Sequence, residues 1–275
     1  MRKFLVLLVL VLSLCFAFAC GKEDEKQDDK ENEQENQPSE KVGYERIKEN
    51  GKLVVGFTDF APFGYVENDE YKGFDLDLAK LVAAELGVDV EFKYIEWEAQ
   101  VAEINTNVDC IWNAMTITPK RQENMEFTKP YWETNLVAVV KADSELTSVA
   151  ELAGKKISVE ANGTADINLS GSKDYDVKQY TTVSEARTAV TAGQADAFVA
   201  DATYVEDVLS KYAGEYKVLE GTIGDVEEYG VAFRKAEGDL RDKVDEIIDK
   251  LYFEGKIDAL LEKYFGEGNG FKREQ

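Results

Sequence analysis

The chain has 275 residues, enough for one or two domains with hydrophobic cores. Acidic residues outnumber basic ones, 55 to 32, which argues against a nucleic-acid-binding protein because such proteins need a basic face. Histidine is absent from the sequence, and the three cysteines (Cys15, Cys20 and Cys110) are not spaced as zinc ligands, so we expect neither a metal site nor a cofactor.

Residues 1–19 are predicted to be a lipoprotein signal peptide. Arg2 and Lys3 precede an apolar run that is short for a stable membrane span, and a polar tract follows at once. The sequence Ala-Phe-Ala-Cys-Gly around Cys20 resembles a lipoprotein cleavage site, with Cys20 as the lipidated residue. An ordinary secretory peptide cut after Ala19 and a plain transmembrane anchor are the alternatives.

Residues 20–42 are predicted to be an acidic, disordered tether. Between residues 22 and 40 the chain carries nine Asp or Glu, three Lys and no hydrophobic residue. Such a composition stays extended and cannot form a core. A charged helix is the alternative, but this segment lacks the apolar stripe that would stabilise one.

The folded part opens with alternating strand and helix patterns. The apolar run at residues 53–57 predicts a strand, and a loop containing Phe60 follows it. The next helix is predicted to begin near Asp75 and Asp77, as capping groups in its first turn, and to end at Leu86. After a strand at residues 90–95, Trp97 heads the following helix.

The stretch Asp-Cys-Ile-Trp-Asn-Ala-Met-Thr-Ile-Thr-Pro-Lys-Arg, residues 109–121, is the most informative in the chain. A short buried strand from Cys110 ends in hydroxyl residues, and Arg121 follows. Ligands of open α/β sheets bind at the carboxyl ends of strands, and a guanidinium is a forked partner for a carboxylate. Together with Phe-Thr-Lys-Pro-Tyr at residues 127–131, the stretch resembles the signature of polar amino-acid-binding proteins, the extracytoplasmic receptors of ABC importers. The resemblance extends over residues 43–268.

The resemblance implies a set of ligand-binding residues in the first half of the chain. Phe60 would stack on the ligand, and Trp97 would form the second wall of its side-chain pocket. The carbonyl of Ala114 and the hydroxyl of Thr116 would face the ligand, and Arg121 would bind its carboxylate. Phe60 and Trp97 could instead be packing residues, and Arg121 an ordinary surface residue.

A weak internal repeat extends the site to the second half of the chain. Residues 102–111 resemble residues 189–198, and both segments are predicted to form a helix, a tight turn with Asp after it, and a buried strand. The repeat brings Asp201 to a strand end like the one before Arg121, and the resemblance implies that it pairs with the ligand's α-ammonium. Thr164, after a turn, would be a second carboxylate contact. Each of these two residues could instead cap a helix.

The fold implied by the resemblance is a two-lobed α/β clamshell of the periplasmic-binding-protein type, with two crossover hinge strands at residues 135–141 and 228–233. Lobe 1 would comprise residues 43–138 and 229–275, and lobe 2 residues 139–228. The implied function is to bind an L-amino acid outside the cytoplasmic membrane, at the cell surface or in the periplasm, and to deliver it to an ABC permease. We expect a lipid-anchored monomer with no catalytic residues.

Two questions remain open from the sequence. An enzyme of the same fold, a cyclohexadienyl or arogenate dehydratase, would need a carboxylic acid, for which Asp166 and Glu160 are candidates. A sensory domain would need a later signalling segment, and the sequence has none.

The second question is which amino acid binds. Phe60, Trp97 and Trp112 favour a ligand with a flat or apolar side-chain portion, and Asn113 could bind a polar end. Polar neutral, aromatic and cystine ligands all fit that description.

Overall fold

A computed structural model describes residues 42–266 and 270–273. The predicted signal peptide, Cys20 and nearly all of the predicted tether lie outside the described residues. Within the described ranges, none of the helices is both long and apolar enough to cross a membrane.

Strands and helices alternate along most of the described chain. The strands are β1 (Lys52–Phe57), β2 (Tyr65–Glu67), β3 (Glu70–Lys72), β4 (Asp89–Tyr94), β5 (Cys110–Ile111), β6 (Met125–Phe127), β7 (Trp132–Lys141), β8 (Lys156–Glu160), β9 (Asp176–Tyr180), β10 (Ala197–Asp201), β11 (Tyr216–Val218), β12 (Ile223–Tyr229) and β13 (Ala232–Arg234). The helices are α1 (Gly43–Asn50), α2 (Phe74–Leu86), α3 (Gln100–Thr106), α4 (Pro119–Gln122), α5 (Thr164–Leu169), α6 (Val183–Thr191), α7 (Ala202–Lys211), α8 (Gly238–Phe253) and α9 (Asp258–Phe265).

Two mixed sheets organise these elements. The first has the order β4-β1-β5-β13-β6, and the second has the order β11-β7-β10-β8-β9 with β12 added on β7. We call the part built on the first sheet lobe 1 and the part built on the second sheet lobe 2. Residues 157–159 of β8 and residues 197–200 of β10 are buried, because both faces of the sheet are covered there. The predicted two-lobed α/β plan is confirmed.

The internal repeat is confirmed by matching hydrogen bonds in the two lobes. In lobe 1 the carboxylate of Asp109, between α3 and β5, accepts the backbone N–H of Val54 at 2.7 Å. In lobe 2 the carboxylate of Asp196, between α6 and β10, accepts the N–H of Lys156 at 2.8 Å. Each Asp therefore holds its strand to the neighbouring parallel strand. The carboxyl ends of β5 and β10 consequently occupy equivalent positions in the two lobes.

Two strands carry the chain between the lobes. These strands, β7 and β12, pair antiparallel. The predicted lobe boundary at residue 138 falls within β7, and the boundary at residue 229 falls at the end of β12. The returning strand, predicted as one element over residues 228–233, is broken at Gly230, whose N–H donates to the carbonyl of Met115 at 3.0 Å. A Cβ at Gly230 would lie 2.9 Å from Ile117, so a side chain has no room where the strand changes sheet.

Asp75 has a structural role that the sequence did not indicate. The prediction that Asp75 and Asp77 cap α2 is wrong, since neither makes a side-chain cap bond. Asp75 is fully buried and accepts the N–H of Ala114 at 2.7 Å and the hydroxyl of Tyr131 at 2.9 Å. Burial raises the pKa of Asp75 to about 7, against the effect of these two hydrogen bonds. Asp75 thus fastens α2 to the segment after β5.

We predict that Asp75→Ala lowers the free energy of unfolding by about 2–4 kcal/mol, because it leaves two buried donors unsatisfied. Asp77→Ala is the matched control, since Asp77 lies on the same helix but makes partly exposed ion pairs with Lys80 and Lys263. It should cost about 1 kcal/mol or less. Urea denaturation of both variants measures the difference, and equal losses would contradict the anchoring role.

Candidate functional site

The eight predicted ligand-binding residues all line one cavity between the lobes. Lobe 1 and lobe 2 both contribute to its wall. The lining residues are Thr58, Phe60, Trp97, Asn113, Ala114, Thr116, Arg121, Glu160, Gly163, Thr164 and Asp201. Of these, Thr58, Glu160 and Gly163 were not among the eight predicted residues.

Arg121 is a buried cation held by carbonyl groups. Thr118 caps α4, and Arg121 in that short helix donates to the carbonyl of Thr116 at 2.8 Å and to the carbonyl of Asn162 in lobe 2 at 3.2 Å. Its guanidinium lies 5.4 Å from the ring centroid of Trp97. Burial lowers the pKa of Arg121 to about 10, so it stays charged at neutral pH. Among the described residues it forms no ion pair with a carboxylate, which leaves it able to bind an anion.

Asp201 ends β10 and begins α7, but its side chain does not cap that helix. Instead it accepts a hydrogen bond from the hydroxyl of Tyr229 at the end of β12. Burial raises its pKa, and the Tyr229 hydrogen bond acts in the opposite direction. No described cation forms an ion pair with it. The carboxyl group of Asp201 also interacts with that of Glu227. The cavity therefore has an acidic group in lobe 2 and a guanidinium in lobe 1, neither of which forms an ion pair with a described residue.

Glu227 is a buried residue of the site that the sequence analysis missed. It lies on β12, and one carboxylate oxygen accepts the hydroxyls of Thr116 at 3.1 Å and Thr164 at 2.9 Å. The two threonines belong to different lobes, so Glu227 links both lobes from the crossover strand. Glu227 shares a face of β12 with Tyr229, which bonds Asp201, but Glu227 precedes the predicted returning strand and its sequence neighbourhood carries no signal of a site role.

The aromatic side chains divide between the cavity and the core. Phe60 stacks on Tyr204 of α7 with ring centroids 5.0 Å apart, so this contact joins the lobes. Trp97 lines the cavity and is mostly buried. Trp112 is wholly buried in the core and does not line the cavity, so the prediction that it influences ligand choice is wrong. Tyr204 was missed, although its place one helical turn beyond Asp201 is a usable signal.

Two residues of the site adopt backbone conformations usually taken by glycine. Ala114 has φ of 49° and Asn162 has φ of 58°. A positive φ is strained for alanine, whereas asparagine tolerates it better. The Asp75 carboxylate holds the N–H of Ala114 and so helps to maintain this conformation. Thr164 is the first residue of α5 rather than its N-cap, which is Gly163, so its hydroxyl is free to bond Glu227.

The two acid candidates for a dehydratase occupy different environments. Asp166 accepts hydrogen bonds from Gln179, Ser170 and the N–H of Asn162, and although burial acts against them these bonds lower its pKa. It does not line the cavity. Glu160 does, and burial raises its pKa to about 8. No group of three or more His, Cys, Asp or Glu in the described ranges is arranged to hold a metal ion.

The sequence matches the model of the bacterial extracellular solute-binding proteins, family 3, over residues 53–267. The chain belongs to this family. A probable amino-acid-binding protein of Bacillus subtilis, YxeM, is 32% identical over 229 residues, which cover 80% of this chain and 86% of YxeM. The L-cystine-binding protein TcyJ of Escherichia coli K12 is 29% identical over 227 residues, covering 80% of this chain and 85% of TcyJ.

Solved structures of binding proteins share the fold. A mutant of ArgBP from T. maritima gives a TM-score of 0.77 at 32% identity, covering 82% of this chain and 100% of that one. A substrate-binding protein of an ABC uptake transporter from Streptococcus pneumoniae, solved with bound histidine, gives a TM-score of 0.78 at 28% identity. That match covers 84% of this chain and 98% of the other.

We predict that the ligand-free protein loses thermal stability as the pH rises from about 4.5 to about 7, in part because of Glu227. Burial raises the pKa of Glu227 from 4.5 to about 7. The folded state therefore binds the proton more tightly than the unfolded state, and that stabilisation is full below 4.5 and lost as the pH passes through about 7.

The variant Glu227→Gln should flatten the fall of Tm over this range, as measured by thermal denaturation. Glu228→Gln is the matched control, because Glu228 is the adjacent residue of β12 and is exposed. It should leave the slope unchanged. Equal slopes in the parent protein and in Glu227→Gln would show that Glu227 does not bind this proton.

Proposed function

We propose that this protein binds an L-amino acid between its lobes, outside the cytoplasmic membrane, and delivers it to an ABC permease. The observation that carries the proposal is the pair of unpaired charges in one cavity, Arg121 from lobe 1 and Asp201 from lobe 2. An α-amino acid carries the complementary pair, a carboxylate and an ammonium, on one carbon atom. Family membership supports the same function.

In the proposed complex the α-carboxylate binds Arg121, with Thr116 and Thr164 as further contacts. The α-ammonium binds Asp201 and the carbonyl of Ala114. The side chain extends between Phe60 and Trp97, near Asn113. A ligand that lacks either backbone charge would leave a buried charge without its partner, at a cost of about 2–5 kcal/mol. This cost gives the site its selectivity for zwitterions.

The names of the relatives support an amino acid but do not select one. The B. subtilis relatives include an arginine-binding protein and a glutamine-binding protein, each 28% identical to this chain. TcyJ is named for L-cystine. The common element of these ligands is the α-amino-acid backbone, which is the part that Arg121 and Asp201 would recognise.

We also propose that ligand binding closes the two lobes. A ligand shifts an open–closed equilibrium only by its differential affinity for the two states. An amino acid bridging Arg121 and Asp201 contacts both lobes only when they are closed. Hinge closure of this kind is described for periplasmic binding proteins in general. The closed form would then dock on the permease.

The proposed location is the outer side of the membrane, with residues 1–19 as signal peptide, Cys20 as the lipidated residue and residues 20–42 as tether. The two folded lobes, residues 43–138 with 229–275 and residues 139–228, would then work as a monomer near the permease.

Asp166 gives no support to the dehydratase alternative. Its carboxylate accepts hydrogen bonds from three residues, and its lowered pKa makes it a poor proton donor.

We predict that Arg121→Ala abolishes amino-acid binding and leaves the fold intact. Arg121→Lys should also weaken binding by at least about 2 kcal/mol, because one ammonium cannot replace a forked guanidinium. A thermal-shift screen of the twenty amino acids and cystine identifies ligands, and calorimetry on the variants measures affinity. Lys120→Ala, an exposed neighbour on α4, is the control. Normal affinity in Arg121→Ala would remove Arg121 from the site, and turnover of prephenate or arogenate would indicate an enzyme.

We predict that Cys20→Ser yields a protein that is released from the membrane and still binds its ligand. The reason is that the lipid, rather than the apolar segment, would be the anchor. Detergent-phase partitioning of the expressed protein measures this. An unchanged membrane fraction would mean that residues 1–19 are themselves the anchor.

A further inference from the structure

The C-terminal residues 270–273 pair with the start of the crossover strand β7. The N–H of Glu133 donates to the carbonyl of Gly270 at 2.9 Å, and the N–H of Lys272 donates to the carbonyl of Tyr131 at 3.0 Å. The residues between these two bonds face each other in an antiparallel bridge. We call residues 270–273 the C-terminal strap. It lies on the edge of β7 opposite to β12.

Side chains of the C-terminal strap fasten it to lobe 1. The ring centroid of Phe271 lies 5.2 Å from that of Tyr252 on α8 and 5.8 Å from that of Phe74 on α2. The side chain of Arg273 is only 1% exposed and forms an ion pair with Asp245 of α8 at 2.8 Å. Both helices pack on the sheet of lobe 1. The strap therefore holds the start of β7 to that lobe.

The strap ends just before β7 enters lobe 2. Its hydrogen bonds reach Glu133, and on the same edge of β7 the pairing with β10 begins at Leu136. Thr134 and Asn135 lie between, and neither has a described strand partner on this edge. On the other edge, the ladder with β12 is irregular between residues 223 and 227, opposite the same part of β7. Both edges of β7 are therefore least constrained at the same place.

This weak segment lies between the two charges of the site. Leu136, the first residue paired with β10, is opposite Asp201 in the ladder. Arg121 belongs to α4 of lobe 1, the lobe to which the strap holds β7. A bend at Thr134 and Asn135 would consequently move Asp201 relative to Arg121.

Trp132, which lies against the strap, also contacts lobe 2. Its indole N–H donates to the hydroxyl of Thr203 on α7 at 3.3 Å. A Cβ placed on Gly270 would lie 3.1 Å from the indole nitrogen and 2.6 Å from the carbonyl oxygen of Glu133. The strap backbone is thus in close contact with β7, and it supports a hydrogen bond that joins the two lobes.

We propose that the C-terminal strap confines lobe closure to a pivot at Thr134 and Asn135 and thereby favours the closed arrangement. This inference rests on the proposed function for the closure itself, and it adds the element that controls closure. With the strap in place, β7 belongs to lobe 1 as far as Glu133, so only a short segment can bend. Without the strap, bending spreads towards Tyr131. The open state then gains more conformational freedom than the closed state, in which the lobes are in contact.

Two variants detach the strap in different ways. Gly270→Ala introduces a Cβ too close to the carbonyl oxygen of Glu133 and must displace the strap from β7. Deletion of residues 270–275 removes it. Gly171→Ala is the matched control, because a Cβ at Gly171 would meet no atom within 4 Å.

Small-angle scattering should show that Gly270→Ala and the deletion expand the ligand-free protein, and that Gly171→Ala does not. Calorimetry should show weaker binding in the first two variants. The probe is the amino acid, among the twenty and cystine, that gives the unmodified protein its largest thermal shift. We expect its affinity to fall by about threefold to tenfold, the scale on which residues outside a site change coupling.

Hydrogen exchange followed by NMR tests the strap in the unmodified protein, and so does not depend on the folding of a variant. The amide of Glu133 is bonded to the strap and should exchange as slowly as the amides of residues 137–139 in the lobe 2 part of β7. A Glu133 amide that exchanges at the rate of an unbonded loop amide overturns the inference.

Unchanged scattering and affinity in both strap variants would also overturn the inference, while leaving amino-acid binding intact. If none of the twenty amino acids or cystine binds to the unmodified protein, the proposed function fails. Scattering and hydrogen exchange of the ligand-free protein still decide the role of the strap in that case.

Discussion

The site depends on charges that are buried between the lobes and are not paired with one another. Arg121 is held by two backbone carbonyls, and Asp201 by a tyrosine hydroxyl. Taking such groups out of water is costly, and hydrogen bonds to neutral partners offset only part of the cost. A ligand of complementary charge therefore gains more here than it would on an exposed surface. The same burial explains why the pKa values of Glu160 and Glu227 are raised.

The framework that holds these charges is itself built on carboxylates, used in a different way. Asp109 and Asp196 each fix a strand start in the two halves of the repeat, and Asp75 fixes the segment containing Ala114. All three accept backbone N–H groups at short distances. Their role is to position strand ends and loops, so that side chains from separate parts of the chain meet at one cavity.

Much of this arrangement could be predicted from the sequence, and the failures have physical causes. Arg121 and Asp201 follow buried strands, the repeat relates the two strands, and the family resemblance implied their roles, so their place at one cavity was predicted. Glu227 and Tyr204 contact residues of the cavity lining only through the pairing of β12 and the placement of α7, which depend on contacts distant in sequence. Asp75 looked like a helix-capping residue because its partner, the N–H of Ala114, is 39 positions away. Trp112 lies in the motif but points into the core.

The stack of Phe60 on Tyr204 joins a loop of lobe 1 to a helix of lobe 2 across the cavity wall. While these rings are in contact, a molecule cannot pass between them. For a ligand that passes by this route, entry and exit depend on how often the lobes separate, and not only on how well the ligand fits. The observed association rate should stop increasing at high ligand concentration and level off at the opening rate. Release would likewise be timed by separation of the rings, which gives a bound ligand a residence time that suits transfer to a second protein.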